Sequence, residues 1–191
     1  MSHPDIVDLL VGITPGSHLD RLRAERMQAR DNAQKSYLAL FHPAEPVDIS
    51  LVERHAVAVF VAGLHRQPAI AAFYREGLAA APDLRLMLNA EIVRGATAGP
   101  YGHFPAGPLS SEDKDGPVFT AITDVGPRLA AALAHTHMLV FHPRDASAAA
   151  LRKLEAAGWS ATGIVTLSQL VAFLTFQIRV IIGLRALAEA R

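Results

Sequence analysis

The chain has 191 residues and a mass of 20.4 kDa, 51% of it hydrophobic and 19% charged; that is apolar enough to bury a sizeable core and rules out bulk disorder. Lys+Arg and Asp+Glu both total 18, so there is no basic excess of the kind a nucleic-acid binder carries, and weak mutual repulsion favours self-association. Cysteine is absent, which excludes disulfides, thiolate metal sites and every thiol-based mechanism.

Residues 5–11 form a short apolar segment that Gly12 and Pro15 stop, with no basic leader pattern around it. Ser17 caps a helix predicted to run to about Phe41. Leu19, Leu22, Met27, Ala33 and Leu38 mark its apolar side, and Arg21, Arg23, Glu25, Arg26 and Arg30 its wet side. Pro43 and Pro46 end it. Ser50 and Glu53 have capping-box spacing ahead of a strongly apolar helix over 51–64. Pro68 starts a helix to about Ala81, and Pro82–Asp83 starts another that ends near Gly95. Residues 96–117 are dense in Gly and Pro and follow no helix or strand period. A loop of that length is either functional or an arm for a neighbouring subunit. Helical periodicity resumes over 118–123, restarts after Gly126–Pro127 with Leu129, Leu133 and Leu139, and stops at His142–Pro143. Ser147 caps a helix over 148–157 that Gly158 terminates, and Ser160 caps a last helix to about Ala188.

The expectation is an all-α fold in a single domain over 1–191. It comprises an N-terminal segment (1–16), core helices (17–95), the loop (96–117) and C-terminal helices (118–191). Residues 164–184 are apolar enough to suggest a membrane, but Ser168, Gln169, Thr175, Gln177 and Arg179 interrupt them. A helix buried in protein is the expectation, with no membrane partner and a cytoplasmic location. The tripeptide Phe41-His42-Pro43 recurs as Phe141-His142-Pro143.

His135-x-His137 and His142 suggest a metal, yet side chains two apart on a helix diverge by about 200°. No metal site is expected. His55 and His65 lie on or at the end of the most apolar helix, three turns apart, where a polar ring needs a partner or a cavity. Either ring is a core histidine or a general base lining a pocket. Nucleotide, serine-hydrolase and zinc-protease signatures are missing, so no cofactor is expected.

Residues 49–78, ISLVERHAVAVFVAGLHRQPAIAAFYREGL, resemble the core of the carboxymuconolactone decarboxylase and alkylhydroperoxidase D-like superfamily: a capped helix, an apolar helix, a break, then a second helix. Residues 135–159 and 158–184 are similar to the C-terminal part of its longer peroxidase-related members, in particular a cysteine-free "CMD domain" subgroup. The peroxidase branch carries Glu, Cys-x-x-Cys and His as a redox relay. Aligned without gaps, those positions fall on His55, Gln67, Ile70 and Tyr74, so thiol peroxidase chemistry is not expected. Arg66 matches the Arg-rich turn of the decarboxylase branch, but Phe73 stands where that branch has His.

The resemblance implies an alkylhydroperoxidase D-like helical domain that forms a dimer, trimer or hexamer. The expected function is binding of a small molecule, with the family's thiol chemistry lost. The pocket would lie between helices 51–64 and 69–81. His55, His65 and Tyr74 are the candidate acid–base groups, and Arg66, Gln67 and Ile70 the candidate binding residues. Two alternatives stand beside this reading. One is a cysteine-independent proton-transfer enzyme acting on a lactone or a β-keto acid; the other is an oligomeric interaction protein.

Overall fold

The computed structural model describes residues 3–121 and 123–190. Nine α-helices occur among them: α1 (Ile6–Val11), α2 (His18–Ala24), α3 (Met27–Phe41), α4 (Leu51–Leu64), α5 (Pro68–Arg75), α6 (Pro82–Gly95), α7 (Pro127–Phe141), α8 (Ala148–Ala156) and α9 (Ala161–Glu189). The only sheet-like pairing among the described residues is an isolated bridge between Gly102 and Lys114. The fold is all-α.

Local chemistry sets most boundaries. Asp5 accepts from the amides of Val7 and Asp8 to start α1, and Gly12 ends it at φ 84°. Ser50 and Glu53 satisfy each other's backbone amides in a complete capping box at the start of α4. Ser147 and Ser160 cap α8 and α9 in the same way from one side.

Helix α4 is the axis of the molecule. Residues 56–62 are wholly buried, because α5, α6, α7 and α9 pack around them. Helix α9 is long and apolar enough to cross a membrane. Here α1, α3, α4, α7 and α8 pack against it, and Leu167, Leu170, Leu174, Ile178 and Ile181 are fully buried. Arg128, at the start of α7, ties that end of the bundle together. Its guanidinium donates to Glu53 Oε1 (2.7 Å) and the Asp48 carbonyl (2.7 Å), and lies 4.0 Å above the Trp159 ring.

Three expectations are corrected. The helix predicted over 17–41 is two helices that break at Glu25–Arg26, where Arg26 takes φ −122°, ψ 49°. Its supposed wet side holds Arg23 and Arg30, which reach back to Asp5, Asp8 and Asp20. Arg23 is buried and Met27 is exposed, the reverse of the predicted faces. The segment 118–121 is not helical, and Val118 is 81% exposed; only a 3₁₀ turn forms, at Thr123–Val125, and Ile122 lies outside the described residues. The helix from Pro68 is α only to Arg75 and continues as a 3₁₀ turn over Glu76–Leu78.

Candidate functional site

The predicted site residues fall into two groups. His55, in the second turn of α4, meets Tyr74, in the last turn of α5. The Tyr74 carbonyl accepts from His55 Nδ1 at 3.0 Å, and the imidazole lies over Gly77, where a Cβ would sit 2.3 Å from the ring. Burial pushes the His55 pKa down and His42 adds to this, against the opposing pull of the Tyr74 carbonyl. Tyr74 is fully buried, and its hydroxyl donates to Gln177 Oε1 of α9 at 2.6 Å. Burial holds this phenol well above its ordinary pKa, so it stays neutral. The Gln177 amide nitrogen is sealed in the core without a partner.

His65 sits apart, capping the C-terminal end of α4. Its Nε2 lies 3.5 Å from Thr175 Oγ1, and burial together with Arg179 depresses its pKa. Arg66 is exposed at φ 57°, Gln67 is half-buried beside the His65 carbonyl, and Ile70 is fully buried. The phenol and both imidazoles are thus engaged with protein groups.

The larger cavity with room for a ligand lies elsewhere. Residues 96–121 run as a strap along α7 and α8 and flank a partly open chamber of about 570 Å³. Its walls are small and apolar: Ala130, Ala131 and Ala134 of α7, and Ala149 and Ala150 of α8, with Phe119 and Ala121 of the strap. Met138 and Leu154 complete the apolar lining, and Lys153 adds an ammonium. The other polar residues of the lining are His103, Thr120, His135, His142, Asp145 and Ser147.

The strap is anchored by specific bonds. The Tyr101 amide donates to the Phe141 carbonyl (3.0 Å), and the Tyr101 ring stacks on His142 with centroids 4.9 Å apart. The Tyr101 hydroxyl donates to the Pro117 carbonyl at 2.7 Å. Arg144 covers Phe104 at 4.2 Å and donates to the Glu112 carbonyl at 3.0 Å. Gly102 sits at φ 108°, where a Cβ would press on the Asp145 carboxylate at 3.0 Å.

Asp145 joins strap and base. Its Oδ1 accepts the His103 amide (2.9 Å) and its Oδ2 faces His142 Nδ1 (2.8 Å). Burial raises the Asp145 pKa, but the His103 amide and the His142 ring outweigh it and hold the carboxyl below its ordinary value. In the neutral ring the carboxylate keeps the proton on Nδ1 and leaves Nε2 as an acceptor. Among the described residues that nitrogen has no hydrogen-bond partner, and it is not sealed in the core.

The two histidines of α7 differ. Ser168 gives its hydroxyl proton to the Ile164 carbonyl, so His135 Nε2 donates to Ser168 Oγ at 3.0 Å and Nδ1 is bare. His137 donates from Nε2 to the Gly95 carbonyl at 3.1 Å. In both rings the remaining nitrogen is buried without a partner. Burial takes the His137 pKa down to about 4, helped by His142 and opposed by the Gly95 carbonyl. The rings of His135 and His137 engage different helices, as their spacing requires. Among the described residues, no cluster of three or more His, Cys, Asp or Glu side chains has the arrangement of a metal site.

Sequence reasoning noticed the long loop and named His142, but it did not join them. The usable signal was the His-x-x-Asp spacing of His142 and Asp145 directly after a helix stop. No family model matches the chain, and neither does any curated protein or solved structure.

Proposed function

We propose that the chain is a cysteine-free, small-molecule-binding relative of the alkylhydroperoxidase D and carboxymuconolactone decarboxylase-like proteins, with its ligand in the chamber beneath the strap. The observation that carries this reading is the chamber itself. Its volume of about 570 Å³ falls inside the usual range for small-molecule sites, and apolar walls with a few convergent polar groups are the expected lining. Thiol peroxidase activity forms no part of the reading, since the chain has no cysteine. Proton transfer by Tyr74 is disfavoured because its hydroxyl already serves Gln177 inside the core. The homo-oligomer remains part of the proposal, supported by Val165, Phe176 and Leu187, exposed at eleven-residue spacing along α9. A stable 20.4 kDa species in sedimentation at micromolar concentration would refute that part.

A thermal-shift screen tests the binding reading. A ligand at a hundred times its dissociation constant stabilises the native state by about 2.7 kcal/mol. For a chain of this size that raises Tm by roughly 5–10 °C. Hits should shift the wild type more than Ala134→Phe, whose ring takes up part of the chamber. Hits that shift both equally, or no hit at all, would remove the chamber from consideration.

A further inference from the structure

We propose that the ligand of this chamber is a phenol, an aromatic ring carrying a hydroxyl that donates to His142 Nε2. The inference rests on the chamber being the binding site. The free nitrogens of His135 and His137, on α7, are sealed in the core, while that of His142, which caps the end of α7 and lines the cavity, is not. With Nδ1 committed to Asp145, that nitrogen offers a lone pair and no proton. It favours a hydrogen-bond donor and gives nothing to an ether or ketone oxygen. The His103 amide stops the carboxylate behind the ring from turning away. An acidic hydroxyl is a stronger donor to that lone pair than an aliphatic alcohol.

The rest of the lining selects the body of the ligand. Ala130 and Ala134 stand one turn apart on α7, and Ala149 and Ala150 on α8 also line the chamber. Methyl side chains leave flat surfaces, suited to the face of a ring. Met138, one further turn along α7, brings a thioether into the same lining, and sulfur contacts aromatic edges favourably. Charge argues against the main competitor, a phosphate or dicarboxylate. Lys153 is the one ammonium in the lining, and the Asp145 carboxylate in the same lining repels a multiply charged anion.

The test compares 2-naphthol with 2-methoxynaphthalene by isothermal titration calorimetry on the full chain. The two probes share a ring system, and only the first can donate. Wild type should bind the naphthol at least about tenfold more tightly. His142→Phe keeps a ring to stack on Tyr101 and removes the acceptor; it should bring the two affinities together by weakening the naphthol alone. Ala134→Phe should weaken both. Equal affinities in the wild type, with both lost in Ala134→Phe, would leave the chamber standing and overturn the phenol. A preference that survives in His142→Phe would overturn the role of His142. Failure of wild type to bind either probe at millimolar concentration would overturn the chamber reading itself. If His142→Phe does not fold, the wild-type pair still decides whether the ligand must carry a donor.

Discussion

The α4–α5 pair and the α7–α8 hairpin both combine histidine with apolar residues, and they end in opposite states. In the first, large side chains meet: Phe60, Ile70 and Tyr74 are fully buried, and His55 and Tyr74 find partners within the protein. In the second, the residues that face the strap are mostly alanine, and the strap does not fill the space they leave. One histidine there keeps a nitrogen free. Histidine in an apolar helix therefore does not mark a site; what marks it is a polar atom left unpaired next to a void.

The repeated tripeptide makes the same point within a few residues. Phe41 and Phe141 each end a helix, and His42 and His142 adopt nearly the same backbone conformation. After His142, a 3₁₀ turn at Pro143–Asp145 places a carboxylate against the ring. After His42, no such turn forms, and the ring instead approaches the Tyr37 hydroxyl at 3.4 Å. Three residues past the histidine the chain has Glu45 in one copy and Asp145 in the other. The chemistry follows the turn and not the tripeptide.

The largest expected effect tests how tightly the first region is packed. Ile70→Ala removes a fully buried side chain between α4 and α5 and should cost about 2–5 kcal/mol in chemical denaturation. A cost below about 1 kcal/mol would mean that this interface has slack, and the contrast with the chamber would fail.

Acid is the next lever. His137 has a folded pKa of about 4 against an ordinary 6.5, so the unfolded chain takes up the proton first as pH falls. Its contribution is complete above about pH 6.5, declines between 6.5 and 4, and levels off below. The loss is on the order of 3 kcal/mol. His55, His65 and His135 are depressed in the same direction by burial. Asp145 acts in a lower window, since its stabilisation is lost only as its carboxylate protonates. His137→Gln should flatten the stability curve between pH 6.5 and 4; an unchanged curve would mean that His137 is not the residue resisting protonation.

The elements that could be read from sequence were those whose ends are fixed locally. Ser50 with Glu53, Ser147, Gly158 and Ser160 act on amides and carbonyls within a few residues, so their helices begin and end where expected. The break at Arg26 has no Gly or Pro to announce it. It accompanies ion pairs from Arg23 and Arg30 to Asp5, Asp8 and Asp20, and most of these span more than ten residues of chain. The chamber was illegible for a related reason. Alanine on α7 and α8 reads as a good helix former, and nothing in its spacing says that the opposite wall will stand off. The helix pair that carries His55 and Tyr74 was legible, whereas Gln177 as the phenol's partner, 103 positions away, was not.

The Tyr74–Gln177 bond offers a smaller test of the same contrast. Tyr74→Phe leaves the Gln177 amide with neither end paired in a fully buried position, which should cost about 1–3 kcal/mol. Replacing both partners, as Tyr74→Phe with Gln177→Leu, should recover much of that loss, because no orphan polar group remains. Additive losses in the double-mutant cycle would mean that the bond is not formed as described.

The smallest expected effect lies in the chamber. Inserting bulk into a packed interior forces side chains off their rotamers and typically costs about 1–3 kcal/mol. Ala134 borders an open volume of about 570 Å³, so the phenyl ring of Ala134→Phe has room to enter without moving α8 or the strap. Burying that ring against Met138 and Phe119 offsets what little ordering it requires. The stability of Ala134→Phe should therefore stay within about 0.5 kcal/mol of wild type, the range of substitutions that meet no obstacle. A loss approaching that of Ile70→Ala would mean that the strap closes down on the alanines in solution, and the difference between the two regions would vanish. An unchanged stability together with lost ligand binding would separate the two roles: α4 and α5 hold the molecule together, and the chamber is free to bind.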